Sequence, residues 1–528
     1  MSGDRGLRPS RTARMVSLLP LPLRRRAEAL PGAMAPPVRP GQSTPRVAII
    51  GTGFGGLGVA ARLRQAGIDT FTVFEKADAV GGTWRDNSYP GAACDVPSHL
   101  YSLSFVPNPA WTRKFPTQPE IRRYLDSIPA RTGIADRIEF GAEVRSLRYD
   151  DDAKTWQVTV LRGDGPDAAE TTETFDAVVA ATGQLNRPHI PDIEGLDSFD
   201  GPVFHSARWD HDVDLTGRHV GVVGIGASAI QFVPAIAESA ASLTLFQRSA
   251  NYVAPKADAP LSPRARRLLR VEALRKAYRF SIWARFEARF MALRDGSTLN
   301  RMGQNLFDKG LAKAVGPKLT PEMVVPDYAL GCKRILIAND WYPTLMRPDV
   351  TVVPGGVQKV EPGAVVVDGV SHPVDTLIFG TGFESTGFLM PMTVTGRHGV
   401  DLQESWAEGA EAHLGITVSG FPNLFVLYGP NTNLGHNSIV FMLERQISYA
   451  LTCIRSLVSD PRPLDVRPGA QAASNRRLER RLATTVWATA CHSWYKTESG
   501  RITNNWSGTT SDYWRRTWRP RWTDFDRV

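Results

Sequence analysis

Arg46-Val47-Ala48-Ile49-Ile50-Gly51-Thr52-Gly53-Phe54-Gly55-Gly56 is the stretch on which the fold turns. Four consecutive apolar residues read as a parallel strand buried on both faces; a half-exposed strand would alternate. They run without a spacer into a glycine turn, and a helical stretch follows to about Gly67. A second strand, Thr70 to Phe74, ends at Glu75. This is the order of a mononucleotide-binding unit. Its first glycine permits the tight turn, the second lets the backbone approach a pyrophosphate, and the third lets the helix pack on the strand. Glu75 is placed to accept hydrogen bonds from ribose hydroxyls. A further apolar run, Val178-Val179-Ala180-Ala181, closes in Thr182-Gly183.

The pattern then restarts. His219-Val220-Gly221-Val222-Val223 leads into Gly224-Ile225-Gly226-Ala227-Ser228-Ala229, a helix, and a strand from Ser242 to Gln247. The third glycine is replaced by another small residue, Ala229. Glu75 lies 24 residues beyond Gly51, and Arg248 lies 24 beyond Gly224. An acid at that offset repels a 2′-phosphate, whereas a guanidinium pairs with it. The first turn therefore suits FAD and the second suits NADP.

Residues 258–320 are rich in Arg, Ala and Leu with few turn signals, which predicts a helical insertion. Strands are expected again at Val350–Val353 and at Thr376–Phe379, the latter closing in Gly380-Thr381-Gly382. Leu424–Tyr428 reads as a late strand returning to the first domain. The fold class is α/β, with two Rossmann-like dinucleotide-binding domains and a helical insertion. The expected layout is a basic, unstructured extension over 1–43, and an FAD domain over 44–185 and 384–528. An NADP domain is expected over 190–257 and 330–383, with the insertion at 258–329.

Composition narrows the function classes. The 528-residue chain has room for two or three domains, and 42% hydrophobic with 22% charged residues is an ordinary globular balance. Its net charge of +9 is concentrated at the head: residues 1–40 hold eight arginines against Asp4 and Glu28. The near-neutral body argues against nucleic acid. The head's apolar run, Val16 to Leu23, is broken by Pro20 and Pro22 and fits a signal peptide poorly, so Met34 is an alternative first residue. No stretch is long and apolar enough to span a membrane. Cys94, Cys332, Cys453 and Cys491 form no C-x-x-C pair, which predicts free thiols and a cytoplasmic location, and weighs against a flavin disulfide reductase. No cluster has metal-ligand spacing, so no metal is expected.

From Val47 onward the chain resembles class B flavoprotein monooxygenases of the Baeyer–Villiger type. Phe199-Asp200-Gly201-Pro202-Val203-Phe204-His205-Ser206-Ala207-Arg208-Trp209-Asp210 fits the fingerprint F-x-G-x-x-x-H-x-x-x-W-[P/D] at every fixed position. Trp209 favours this branch over N- and S-oxygenating relatives. Gly81-Gly82-Thr83-Trp84 through Tyr89-Pro90-Gly91 to Asp95 matches a second fingerprint, and Gly331-Cys332-Lys333-Arg334 resembles the stretch carrying the family's active-site arginine. Ala93 departs from the arginine many members have there. Asn431 to Ser438 looks more like heteroatom-oxygenating relatives and divergent Baeyer–Villiger enzymes.

The resemblance implies that NADPH reduces FAD, that O2 then forms a C4a-peroxyflavin, and that one oxygen atom is inserted into a small organic substrate. A ketone would give an ester or lactone. Arg334 is the candidate catalytic cation, because arginine stays charged at working pH, and Asp95 would orient it. Further cofactor contacts are expected at Phe54, Gly55, Lys76, Gly82, Thr83, Trp84, Tyr101, Val144, Ser228, Thr381 and Gly382, with Lys333 joining Arg248 at the 2′-phosphate. His205 and Trp209 are expected at the domain junction, without acid–base chemistry. Ser499 to Asp512 reads as a lid, with Trp506 closing the site. Alternatives are an N- or S-oxygenating flavin monooxygenase, an uncoupled NADPH oxidase, and a non-catalytic nucleotide-binding regulator. The substrate and the oligomeric state carry no sequence signal.

Overall fold

A computed structural model describes residues 37–39, 41–163, 165–489 and 493–528. Most of the basic extension expected over 1–43 therefore lies outside the described residues. The quoted stretch forms a strand at Val47–Ile50 that is buried throughout. It is the centre of a five-stranded parallel sheet in the order Leu424–Val426, Ala177–Ala180, Val47–Ile50, Phe71–Phe74, Ile138–Glu139. The late strand thus does return to the first sheet, beside Ala177–Ala180.

Helix α1 (Phe54–Gln65) starts at Gly53, whose φ of −73° any residue could adopt, and no side chain caps it. Its first-turn N–H groups are left for a ligand. Gly56 is required by packing: a Cβ there would lie 1.8 Å from the Gly51 carbonyl oxygen. Over this sheet lies a second layer that sequence periodicity did not reveal. Strands Ala142–Asp150, Thr155–Arg162 and Ala169–Phe175 form an antiparallel meander, joined at its edge by Thr393–Thr395. Trp156, Val158, Val160 and Phe175 fill the space between the layers.

The second glycine turn has its own five-stranded parallel sheet. Its order is Val350–Pro354, Ser242–Gln247, His219–Val223, Thr376–Phe379, Val203–His205. Helix α2 (Ala229–Ile236) follows Gly224, which has φ +87° and a would-be Cβ only 2.9 Å from the Gly380 oxygen. Two separate apolar clusters cover the two faces of this sheet.

The insertion is helical as expected: α3 (Pro263–Leu268), α4 (Glu272–Ala288) and α5 (Thr298–Ala314). Helix α6 (Ile439–Ser456) packs on α1, and α7 (Thr510–Arg516) packs on α6. Among the described residues no helix is long and apolar enough to cross a membrane. Cys94 and Cys453 are free and buried. Cys332 is instead half of a disulfide, against the expectation of free thiols. Missing C-x-x-C spacing excludes only pairs close in sequence, while disulfide geometry depends on distance in the fold.

Candidate active site

A cavity of about 700 Å³ runs between the two glycine turns. That is the size range of small-molecule and cofactor sites. The first turn contributes Gly51, Gly53, Phe54 and Gly55, and Glu75 and Lys76 line the cavity as well. A Cβ on Gly53 would meet nothing within 4 Å, so it would point into open cavity. Gly53 is thus dispensable for the chain's own packing and matters only to whatever fills the groove. Gly82, Thr83, Trp84, Tyr101 and Val144 line the same wall. Trp84 Nε1 donates to the Tyr101 hydroxyl at 3.1 Å, and Phe54 packs edge-on against Tyr101 at 5.1 Å.

Glu75 is buried and its carboxylate is already engaged. Oε2 accepts from Thr52 N at 2.9 Å and Thr52 Oγ1 at 2.6 Å; Oε1 accepts from Ala77 N at 3.1 Å and Arg85 Nη1 at 3.0 Å. Arg85 carries no sequence signal of its own, because it occupies a free position of the fingerprint. Of these donors it is the one on a long, flexible side chain.

Asp95 and Arg334 meet on the cavity wall. Arg334 Nε donates to Asp95 Oδ2 at 2.9 Å, and Nη2 donates to the same oxygen. About a third of each side chain is exposed, and both residues line the void. The Asp95 carboxylate holds Arg334 above its ordinary pKa. Burial pushes Asp95 up, but the Arg334 charge outweighs it and the carboxyl sits below its usual range. The pair is ionised on both sides at any working pH.

At the second turn Gly226, Ser228, Lys333, Thr381 and Gly382 line the cavity. Gly56, Gly224 and Ala229 do not; they serve the packing beneath it. Arg248 is exposed at the end of its strand. Lys333 Nζ donates to Ser249 Oγ at 2.9 Å and sits 4.4 Å from the Tyr328 ring centroid. Burial, and then the Arg248 charge, pull the Lys333 pKa down. The fold therefore brings Arg248 and Lys333 to one place from positions 85 residues apart.

His205 is buried and stays neutral: burial pushes its pKa down to about 4. Its Nδ1 accepts from Ala207 N at 3.0 Å. Trp209 packs on Phe204 and Phe232, and Phe232 in turn meets Tyr89 of the second fingerprint. Gln231 on α2, which no motif flags, clamps the two units together. It accepts from Tyr89 Oη and Ala93 N and donates to the Ala93 carbonyl at 2.9 Å. Gly91 allows this approach, since a Cβ there would lie 2.5 Å from the Gln231 oxygen.

The C-terminal segment differs from the expected lid. Asn504 and Asn505 are fully buried, and Trp506 packs on Tyr513 outside the cavity lining. Trp494 lines the cavity instead. Its carbonyl accepts from Ser385 Oγ at 2.8 Å and Asn504 Nδ2 at 2.7 Å. The Asn431–Ser438 loop is tied to the same segment: Asn433 accepts from Tyr428 Oη at 2.8 Å and donates to Asn505 Oδ1 at 2.7 Å.

Known proteins share this sequence and fold. Residues 44–263 match the family described as flavin-binding monooxygenase-like. A protein named Baeyer–Villiger monooxygenase from Streptomyces coelicolor is 44% identical over 90% of this chain and 91% of its own. Another of that name from Pseudomonas aeruginosa is 42% identical over 89% and 88%. Among solved structures, an oxidised steroid monooxygenase bound to NADP superposes with a TM-score of 0.79 at 30% identity, covering 90% of this chain and 97% of that one. OTEMO in complex with FAD and NADP gives 0.80 at 26%, covering 91% and 97%.

Proposed function

The chain belongs to the Baeyer–Villiger monooxygenases, within the flavin-binding monooxygenase-like family, and on that premise we propose how its residues serve the reaction. It is an FAD- and NADPH-dependent enzyme that inserts one atom of O2 next to a carbonyl, turning a ketone into an ester or lactone. The observation that carries the site reading is the Asp95–Arg334 pair facing a cavity between two uncapped glycine turns.

The residues present fit both nucleotides. The open space over Gly53 and the uncapped start of α1 accept the FAD pyrophosphate. Glu75 would hold the ribose hydroxyls, and Arg85, the flexible one of its present donors, would give way to them. Arg248 and Lys333 supply two cations to the 2′-phosphate of NADP. When bound, FAD with NADPH supplies the reducing equivalents and the oxygen activation.

Arg334 holds a permanent positive charge on the cavity wall and stabilises negative charge as it develops on reacting oxygen. Its bonds to Asp95 use Nε and Nη2, so Nη1 remains for a ligand in the cavity. Asp95 fixes the plane of the guanidinium and thereby its aim. His205 and Gln231 act at the seam between the two nucleotide units, where neutral and hydrogen-bonded groups can shift without a charge penalty. Phe383, Leu389, Leu434 and Trp494 give the void apolar walls that exclude water. These walls suit an apolar ketone.

The test is a panel of ketones and sulfides offered to the purified enzyme with FAD, NADPH and 18O2. Esters or lactones carrying one labelled atom are expected. Sulfoxides alone, with every ketone untouched, would overturn the ketone assignment.

A further inference from the structure

The helical insertion turns an unusual surface outward. Nine of the sixteen exposed large apolar side chains among the described residues fall between Leu268 and Val325. On α5, Leu299, Met302 and Leu306 follow a spacing of three and four, so they form one stripe along one face, and Leu306 is 70% exposed. Leu268, Val271 and Leu274 are exposed where α3 runs into α4, and Phe280, 63% exposed, borders the inner face of α4, its ring 5.4 Å from that of Trp283. A helix whose opposite stripe (Asn300, Leu311) is already packed has no internal use for a second apolar face.

The charges between these side chains are of one sign. From Arg264 to Lys309 ten exposed Arg and Lys stand against three exposed acids, Glu272, Asp295 and Asp308. The excess is local, because the chain beyond residue 40 carries only about +3. The arginine-rich head has the same sign and is no complement for it. Flexible Leu and Met spread over three helices differ from the compact aromatic anchors of protein interfaces. Apolar side chains flanked by long cations are what an anionic lipid interface accepts: the aliphatic groups enter the headgroup boundary while the cations meet the phosphates.

We propose that helices α3 to α5 form a peripheral docking surface for anionic lipid bilayers. The position gives this a use at the cavity. On the inner side of α4, Trp283 stacks on Phe441 and Glu287 accepts from Asn437 Nδ2 at 2.9 Å. Asn437 and Leu434 line the cavity, so α4 connects the insertion to the loop that walls it. Apolar ketones partition into bilayers, and docking there shortens their path to the enzyme; this clause alone rests on the oxygenase reading.

The full-length holoenzyme is to be sedimented with vesicles of phosphatidylcholine alone and with about 30 mol% phosphatidylglycerol, without substrate or NADPH. Binding to the anionic vesicles is expected to exceed binding to the neutral ones about tenfold and to fall as salt is raised. The triple variant Leu299→Ser, Met302→Ser, Leu306→Ser and the double variant Arg264→Glu, Arg267→Glu are each expected to lose most of it while keeping catalytic activity. Wild-type protein left in the supernatant with anionic vesicles would overturn the proposal, as would unaltered binding by both variants. So would light scattering that shows a wild-type dimer and a monomeric triple variant, because a second copy would then cover the face. None of these outcomes depends on turnover, so each leaves the oxygenase reading standing.

Discussion

Arg334 gives both Nε and Nη2 to a single oxygen, Oδ2 of Asp95, across 239 residues of chain. Neither partner alone defines the aim of the charge; the shared oxygen fixes the guanidinium plane.

Arg334→Ala is expected to cut ester formation by about 10²- to 10³-fold, the usual cost of losing one electrostatic stabiliser. NADPH should still be oxidised, with hydrogen peroxide appearing in place of ester. Asp95→Asn, which keeps the shape but not the charge, should lie between the two. Product analysis beside an oxygen electrode decides it, and near-normal ester yield from Arg334→Ala would remove that residue from the mechanism.

Gly53 and Gly56 separate a ligand constraint from a packing constraint. Gly53→Val puts side chain into open cavity, so the protein should fold normally and purify without flavin. Gly56→Ala drives a Cβ to 1.8 Å from a backbone oxygen and should destabilise the fold itself. Flavin absorbance and thermal melting on both variants give the answer; equal flavin content in Gly53→Val and wild type contradicts the groove assignment.

Arg248→Ala and Lys333→Ala should each raise KM for NADPH, on the order of tenfold, with little change in kcat at saturation. KM for NADH should stay nearly constant, because that cofactor has no 2′-phosphate. A parallel rise for both cofactors would mean the two cations serve structure instead.

His205 links stability to pH. Burial lowers its pKa to about 4 in the folded protein, below the unfolded value near 6.5. The unfolded chain therefore binds the extra proton first as pH falls, so stability is full above about 6.5 and is lost towards 4. His99 is also pushed down to about 4, by burial and then by Arg275 and Arg279, and acts in the same window. His205→Gln should flatten the fall in melting temperature between pH 6.5 and 4. An unchanged slope is the contrary result.

Glu287 ties the insertion to both the cavity loop and the C-terminus. It accepts from Asn437, from Thr510 Oγ1 and Ser511 N at 2.7 Å, and lies 3.6 Å from His436 Nε2. Burial pushes its pKa up, but these donors outweigh that and hold the carboxyl below its usual range. Glu287→Ala strands several buried donors, a loss of roughly 3 kcal/mol. Hydrogen exchange should speed up around residues 505–512. If that segment stays protected, the staple is redundant.

Much of the framework was legible along the chain because it depends on local order. Val47–Ile50 is buried on both faces, so every residue is apolar, and the glycines that follow answer to backbone geometry within a few ångströms. Glu75 and Arg248 sit at equal offsets because each ends the strand after its turn. The 142–175 meander is not legible along the chain because its strands pair with one another and pack on the sheet below, and no single strand carries the reason for its position. Arg85 on Glu75, and Gln231 between the two units, occupy positions that no motif constrains.

The sequence by itself determined two nucleotide-binding units and the family, since each is written in short-range spacing. Only the tertiary structure decided which side chains converge on the cavity. It put Trp494 there and kept Trp506 out, packed the C-terminal segment down, and placed Cys332 in a disulfide. It also left the outer face of the insertion bare. Such outcomes depend on how elements far apart in the chain pack against one another, and spacing along one strand of sequence does not encode that distance.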